Sequence, residues 1–466
     1  HQFNNHKDMK LRSVLIATAM WALAFAGKAA DAKYIFYFIG DGMGMGPVLA
    51  AETYNREVLK NDKPLTMMQF PTVSWCMTYS ANSPVTDSAA AGTALATGTK
   101  TKNSMLGMSP DTVAVESIAK RLHDLGYGVG VVTSVAPDDA TPGAFYAHVP
   151  NRSKYYEIGC QAAASGYEFI AGAGLRGVKD KDGAETDLLD VMKKNGVRVI
   201  YGPEEIKKID SRCVMLVNTK GSPLWNIGYT IDSVAGSLTL PLIAETCLSH
   251  LEKTTPDRFF MMVEGGNIDY ALHANDGGAA ITEILNFDET IKLAYDFYLE
   301  HPDETLIVVT ADHDTGGMAM GNTKVKYKAP LDKFSYQRVS KEAFSDYCKA
   351  IARDRRIYNW EDMKIYLTEN FGLFTHIPVS EAEESRLKSL FEAAIVMRNS
   401  EDQKTLYANF NSFAVEVFKL VNNAAGIGFT TMSHTGNPVP VFAVGAGAEN
   451  FTHLNNNCNL PKLILK

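Results

Sequence analysis

The stretch Phe259-Phe-Met-Met-Val263, followed directly by Glu264-Gly-Gly-Asn-Ile-Asp269, decides the fold class. Its unbroken apolar run predicts a strand buried on both faces, as in a parallel sheet. Similar runs occur at residues 34–39, 129–134, 305–310 and 439–444. Helical patterns lie between them, for example at residues 112–125 and 279–298. This alternation predicts an α/β doubly wound fold with a mostly parallel central sheet and helices on both faces.

The chain has 466 residues, of which 46% are hydrophobic and 21% are charged, a composition typical of soluble globular proteins. Its net charge of -8 argues against nucleic-acid binding, which normally requires a basic patch. Because no repeat is visible, we predict a single catalytic domain over residues 31–466. Residues 318–432 separate two groups of candidate ligands and contain helical stretches at 381–398 and 401–423. We therefore interpret this region as an inserted cap.

Residues 1–30 have the pattern of a leader. Lys10 and Arg12 precede an apolar run at residues 13–27, and small residues follow that run. This order is typical of a signal peptide and predicts export, to the periplasm or the exterior, without a stable membrane anchor after cleavage. An uncleaved anchor is the alternative. The six cysteines include no C-x-x-C pair, which argues against a thiolate metal site.

Carboxylates and imidazoles cluster with glycine in a few short segments. These segments are Asp41-Gly-Met-Gly44, the run from Glu264 through Asp269 to His273, Asp312-His313, and His434-Thr-Gly436. Oxygen and nitrogen ligands without cysteine suit zinc in an open catalytic site, and carboxylate or hydroxyl ligands suit magnesium. Several of them follow predicted strands, so one shared site at the carboxyl ends of the strands is expected. Each segment taken alone also fits a turn, a surface pair or a capped helix.

Ser88 lies in the segment Val85-Thr-Asp-Ser-Ala-Ala-Ala-Gly-Thr93, which reads as the start of a helix with small residues behind it. A helix N-terminus attracts phosphate, and a serine beside cations is an activated nucleophile. An ordinary capping serine is the alternative. Arg152 could bind a phosphate through two parallel hydrogen bonds, although a solvated loop arginine fits equally well.

Taken in order, these segments closely resemble the alkaline phosphatase family from Asp41 to about Phe451. The resemblance implies hydrolysis of phosphate monoesters at alkaline pH through a phosphoserine, with two zinc ions and one magnesium ion as cofactors. It implies Ser88 as the nucleophile and Arg152 as the phosphate-binding residue. The implied metal ligands are Asp269, His273 and His434 for the first zinc, Asp41, Asp312 and His313 for the second, and Asp41, Thr141 and Glu264 for magnesium.

Two positions of this pattern vary within the family. Asp139 stands where members carry aspartate or histidine, and Tyr270 stands where lysine, histidine or tryptophan is expected. The resemblance places both near the magnesium and phosphate sites without making either a ligand. It also leaves a homodimer open, since members often form one.

Other functions on the same kind of scaffold are alternatives. They are a phosphodiesterase, a nucleotide pyrophosphatase and a sulfatase, although the sequence after Asp87 lacks the Cys/Ser-x-Pro-x-Arg pattern that sulfatases need. A non-catalytic exported protein that binds metal or phosphate is the alternative from another class.

Overall fold

The computed structural model describes residues 32–354 and 358–466, so the predicted leader at residues 1–30 lies outside the described residues. A ten-stranded sheet forms the centre of the molecule. Its strands are β1 (Tyr34–Gly40), β2 (Thr72–Met77), β3 (Gly128–Thr133), β4 (Phe169–Ala171), β5 (Arg198–Tyr201), β6 (Val214–Val217), β7 (Phe259–Gly265), β8 (Thr305–Ala311), β15 (Val439–Gly445) and β16 (Asn455–Asn456). Short two-residue and three-residue strands form the small sheets: β9 (Asp314–Thr315), β10 (Ala319–Met320), β11 (Asp402–Lys404), β12 (Asn409–Asn411), β13 (Ile427–Gly428) and β14 (His434–Thr435).

The strand order of the central sheet is β16-β2-β15-β8-β1-β7-β3-β4-β6-β5. The predicted strands are all present, and β1, β7 and β8 are parallel neighbours whose residues are almost all buried. The prediction of a parallel strand at residues 439–444 is wrong in direction, because β15 runs antiparallel to both β8 and β2. An apolar run reports burial on both faces but carries no information about direction. The fold is therefore the predicted α/β fold with one reversed strand inside the sheet.

Helices flank the sheet. They are α1 (Met45–Glu57), α2 (Ser88–Thr97), α3 (Ile118–Asp124), α4 (Ala140–Gly143), α5 (Tyr155–Ala164), α6 (Leu188–Lys194), α7 (Leu240–Thr254), α8 (Gly266–His273), α9 (Gly277–Glu300), α10 (Lys341–Arg353), α11 (Trp360–Phe371), α12 (Glu381–Phe391), α13 (Ser412–Ala425) and α14 (Leu460–Ile464). Within the described residues, no helix is both long enough and apolar enough to cross a bilayer. The described cysteines form no disulfide.

Two predicted helices have the wrong boundaries. The helix predicted at residues 112–125 begins only at Ile118, because the Ser117 hydroxyl accepts the Lys120 N–H and Thr112 has a φ of 63°. The helix predicted at residues 401–423 is instead the hairpin of β11 and β12 followed by α13. The stretch at 381–398 forms α12, which continues into a π-helical turn at Glu392–Val396.

Polar residues follow the central strands at one edge of the sheet. In the register of the sheet, Gly40 of β1 lies beside Gly265 of β7 and Ala311 of β8. The three strands therefore end side by side, and the residues that follow them lie close together. Ligands of open α/β sheets bind at this edge. Residues 318–432 carry α10 to α13 and the β11–β12 hairpin, whose loop reaches the same edge.

Candidate active site

Three strand ends supply carboxylates to one buried pocket. Asp41 follows β1, Glu264 is the second-last residue of β7, and Asp312 follows β8, and all three side chains are buried. Asp312 Oδ1 accepts hydrogen bonds from the backbone N–H groups of Gly42, at 3.0 Å, and His313, at 2.9 Å. These bonds fix the Asp312 carboxylate while leaving its second oxygen turned toward the pocket.

Helix α8 and the small β9–β14 sheet add the remaining candidate ligands. Asp269 and His273 are one turn apart on α8, and the nearest atoms of their side chains are 3.4 Å apart. His434 lies on β14, opposite Thr315 of β9. This strand pairing brings His434, which is distant in the sequence, to the pocket. His273 Nε2 and His434 Nε2 are 3.1 Å apart, and His434 Nε2 is 3.8 Å from Asp269 Oδ1.

A second cluster lies beside the first. His313 Nε2 is 3.1 Å from Asp312 Oδ2 and 3.4 Å from Asp41 Oδ1, and the three side chains can offer atoms to one ion. The His313 and His434 rings are stacked with centroids 3.6 Å apart, so the two clusters are in direct contact. Thr141 Oγ1 donates to the other oxygen of Asp41 at 3.3 Å. Glu264 accepts a short hydrogen bond from the hydroxyl of Thr133.

The loop after β1 must pass very close to these groups. Gly42 has a φ of 72°, and a Cβ there would lie 2.7 Å from Thr315 Oγ1 and 2.8 Å from Asp269 Oδ1. A side chain at this position would therefore collide with the pocket wall and strain the backbone. Glycine allows the loop to bring Asp41 against the other ligands.

The donor set fits metal ions. Asp41 Oδ1, Asp269 Oδ2 and Asp312 Oδ2 are buried and accept no hydrogen bond from any described residue. A buried carboxylate oxygen without a partner is costly unless a cation faces it. The geometry also groups Asp269 with His434 and His313, and Asp41 with Asp312 and His313, as sets close enough to hold an ion. Carboxylates with imidazoles are the ligands that suit zinc in a catalytic site.

Burial and charge shift the pKa values of these groups. Burial, followed by the charges of Asp312 and Asp269, raises the pKa of Asp41 well above its ordinary value. Burial also raises the pKa of Glu264 to about 8. In the histidine-rich cluster, burial followed by the neighbouring His313 lowers the pKa of His434 to about 4. The neutral imidazole that results is the form that binds a metal ion.

Ser88 is the first residue of α2, and its side chain is buried. The helix begins here because the Asp87 carboxylate accepts the Ala90 N–H at 2.9 Å. Ser88 Oγ is 3.0 Å from His313 Nε2, next to the second cluster. Asp87 is therefore the capping residue, so the hydroxyl of Ser88 is free to face the pocket. Small residues behind it let α2 pack closely on α4, where Gly92 approaches Thr141.

Arg152 lies at the mouth of the pocket. It donates to Asp139 Oδ1 at 3.1 Å, and its other terminal nitrogen is 3.6 Å from Asp87 Oδ2. Asp139 also accepts a hydrogen bond from the Tyr270 hydroxyl, at 3.2 Å. Burial works against ionisation of Asp139, but Arg152 and then Arg176 hold its pKa below the ordinary value. The structure thus brings together all the residues that the sequence singled out, including Asp139 and Tyr270.

The alkaline phosphatase family profile matches residues 32–173 and 178–466. The chain belongs to the alkaline phosphatase family. It is 27% identical to alkaline phosphatase 4 of Bacillus subtilis over 456 residues, which cover 94% of this chain and 89% of that protein. As an alkaline phosphatase, the chain hydrolyses phosphate monoesters, and the family is metal-dependent.

Solved structures of other alkaline phosphatases share the fold. The cold-active alkaline phosphatase from the psychrophile Shewanella sp. superposes with a TM-score of 0.78 at 25% identity, covering 92% of this chain and 98% of that one. A point variant of the TAB5 alkaline phosphatase, with Mg bound in its M3 site, superposes with a TM-score of 0.64 at 24% identity, covering 94% and 98%. The α/β fold of this phosphatase is thereby confirmed.

Several residues of the pocket escaped the sequence analysis of this phosphatase. Thr315 Oγ1 donates to Asp269 Oδ1 at 2.5 Å and lies 3.2 Å from His313 Nδ1, so it joins the two clusters. Thr315 could have been predicted to lie in the pocket, because it comes two residues after the candidate ligand His313. Arg176 and Tyr407 gave none, because each comes from a distant segment without a local motif. Arg176 lies 3.8 Å from Asp139, and the Tyr407 ring stacks on Tyr270 at 3.9 Å.

Proposed function

We propose that this alkaline phosphatase works through a phosphoserine formed on Ser88. The contact that carries the proposal is the 3.0 Å approach of Ser88 Oγ to His313 Nε2, at a helix N-terminus beside the buried carboxylates. In the first step, a bond forms from Ser88 Oγ to phosphorus and the ester bond breaks, so that the alcohol departs with a proton. In the second step, the oxygen of water bonds to phosphorus, the bond from phosphorus to Ser88 Oγ breaks, one proton of that water restores the Ser88 hydroxyl, and inorganic phosphate leaves.

We propose two zinc ions and one magnesium ion as cofactors. Asp269, His273 and His434 would hold the first zinc, and Asp41, Asp312 and His313 the second. The magnesium ligands would be Asp41, Thr141 and Glu264. Support comes from the buried carboxylate oxygens that accept no hydrogen bond and from the magnesium bound in the TAB5 variant. When bound, such ions supply positive charge that activates the serine hydroxyl and stabilises the departing oxygen.

Arg152 is proposed to bind the phosphate oxygens. Its guanidinium is held between Asp139 and Asp87, so its direction is fixed before substrate arrives. Tyr270 supports this arrangement from the other side of Asp139. A guanidinium fixed in this way can donate two parallel hydrogen bonds to one phosphate, which lysine cannot do.

Replacing Arg152 with lysine is expected to lower kcat/KM for p-nitrophenyl phosphate by roughly tenfold to a hundredfold, the range for a lost hydrogen bond to a charged group. The inhibition constant of inorganic phosphate should rise by a similar factor, because phosphate uses the same contacts. Steady-state kinetics with phosphate as competitive inhibitor measure both. Arg121→Lys, an exposed position on α3, is the matched control. An unchanged phosphate inhibition constant in the Arg152 variant would exclude the proposed role.

The reaction class is tested by comparing three esters. Purified protein with zinc and magnesium is expected to hydrolyse p-nitrophenyl phosphate at alkaline pH at least about 10²-fold faster than bis-p-nitrophenyl phosphate or p-nitrophenyl sulfate. Faster turnover of the diester or the sulfate would instead favour the phosphodiesterase or sulfatase alternative. Tight phosphate binding without turnover of any ester would favour a binding protein.

Residues 318–432 are proposed to form a cap over the single catalytic domain at 31–466. Export to the periplasm or the exterior is proposed from residues 1–30, and the N-terminal sequence of protein recovered from outside the cytoplasm would test it. We also propose a homodimer, and the mass found by analytical ultracentrifugation would test it.

A further inference from the structure

A cleft of about 410 Å³ opens from the active site to the surface, and the imidazoles of His273 and His434 form part of its wall. The cleft also includes Thr86, whose carbonyl oxygen lies 2.8 Å from His434 Nδ1, so the cleft begins two residues before Ser88. If the proposed function holds, the displacement is in line and the departing oxygen is opposite the attacking serine. Ser88 approaches His313, whose ring stacks on that of His434, so the cleft at His434 is the open space next to the reacting phosphorus in which we place the rest of the leaving group.

The walls of the cleft combine apolar side chains, uncharged polar side chains and one cationic side chain. Val85, Leu406 and Met432 are apolar, and the first two are 37% and 61% exposed. Most of the other lining residues are uncharged and polar. Lys404 is the one lysine or arginine among the described residues that line the cleft, and these residues include no aspartate or glutamate. A leaving group with an apolar body and an anionic substituent is therefore complementary to these walls.

The hairpin of β11 and β12 is fixed over this cleft. The Tyr407 ring in its loop stacks on Tyr270 at 3.9 Å and meets the His273 ring edge-on at 5.3 Å. At the base, Asn409 Nδ2 donates to the Asp402 carboxylate at 2.9 Å, so the nearest acidic group of the hairpin is already engaged. The Lys404 backbone pairs with Asn409 in the hairpin, but its ammonium makes no hydrogen bond or ion pair with any described residue. Its ammonium is therefore available to a ligand.

We propose that Lys404 makes this phosphatase prefer monoesters whose leaving group carries an anionic substituent, a carboxylate or a second phosphate, on an apolar body. The hairpin thus determines substrate preference: Tyr407 fixes its position over the cleft, and Lys404 supplies its positive charge. Because Lys404 is exposed, the interaction is screened by salt and its effect is modest.

The test compares phenyl phosphate with 4-carboxyphenyl phosphate in the metal-loaded, full-length enzyme. The ratio of their kcat/KM values is measured for the unchanged protein, for Lys404→Met, for Lys404→Glu and for Lys388→Met, an exposed lysine of α12 that does not line the cleft. The intrinsic reactivities of the two esters are the same throughout, so they cancel when ratios are compared between proteins. The expected loss of preference in Lys404→Met is roughly two- to fivefold, with a further fall in Lys404→Glu.

Salt provides a second, mutation-free measurement. The preference of the unchanged protein should shrink as ionic strength rises from about 0.01 M to about 1 M, where the screening length falls from about 30 Å to about 3 Å. A ratio that is the same in all four proteins, or one that does not respond to salt, would overturn the specificity proposal alone. Failure to hydrolyse either ester would instead count against the phosphomonoesterase reaction on which the proposal rests.

Discussion

Replacing Ser88 with alanine is expected to lower kcat for p-nitrophenyl phosphate by a factor on the order of 10³ or more and to abolish the covalent phosphoenzyme. The expected loss is large because alanine lacks the hydroxyl oxygen that in Ser88 lies 3.0 Å from His313 Nε2. Helix α2 should remain intact, since Asp87 and not Ser88 caps it. Stopped reactions with labelled substrate at low pH, followed by peptide mass spectrometry, locate the phosphate.

A matched control is available in the same segment. Ser83→Ala removes a nearby hydroxyl that accepts a hydrogen bond from the Val85 N–H, and it should retain both activity and the phosphopeptide. Thermal unfolding of both variants checks that the fold is unchanged. Labelled phosphate on a neighbouring residue in Ser88→Ala, or activity equal to that of the control, would show that the nucleophile is another group.

Removal of metal ions is expected to abolish activity and to lower the melting temperature. Each bound ion adds about 4 kcal/mol to the free energy of unfolding when its free concentration is a thousand times its Kd. Without ions, the buried oxygens of Asp41, Asp269 and Asp312 that accept no hydrogen bond face only imidazole nitrogens, at 3.1 to 3.4 Å, which offset their charge less well than metal ions do. Dialysis against a chelator, followed by zinc plus magnesium, should remove and then restore both quantities, measured by p-nitrophenyl phosphate hydrolysis and calorimetry.

A pair of variants separates a metal effect from a general loss of stability. Asp269→Asn changes a proposed ligand, whereas Asp288→Asn changes a buried carboxylate of α9 that the Thr66 and Met67 N–H groups already satisfy. Both should lower the melting temperature, but only Asp269→Asn should reduce the increase caused by added metal. Equal increases in the two variants, or full activity after exhaustive chelation, would contradict the proposed ligand set.

The central strands were predictable because burial on both faces leaves unbroken apolar runs. Strand direction was not, since β15 reads like its parallel neighbours and its reversal depends on the path of the chain. The helix errors arose where local side-chain bonds override the apolar spacing, as at Ser117. At residues 401–411 the chain pairs with itself as a hairpin before α13 begins.

The candidate ligands were visible because carboxylates directly after buried strands are unusual. The family resemblance supplied the pairing of those ligands into three sets, which spacing along the chain does not give. Arg176 and Tyr407 stayed hidden because their proximity to Asp139 and Tyr270 exists only in three dimensions. The sequence thus indicated the chemistry of the pocket but not the aromatic and cationic side chains around it.

The position of β15 has a consequence for how the enzyme is made. This strand lies between β8 and β2, so a late-translated segment occupies the interior of the sheet, and His434 comes shortly before it. A nascent chain that has emerged only as far as β8 has a gap in its sheet and lacks a candidate metal ligand. Domains fold as units once their segments are available. We therefore expect phosphatase activity to appear only after synthesis has passed residue 445, so ribosome-bound shorter chains should be inactive.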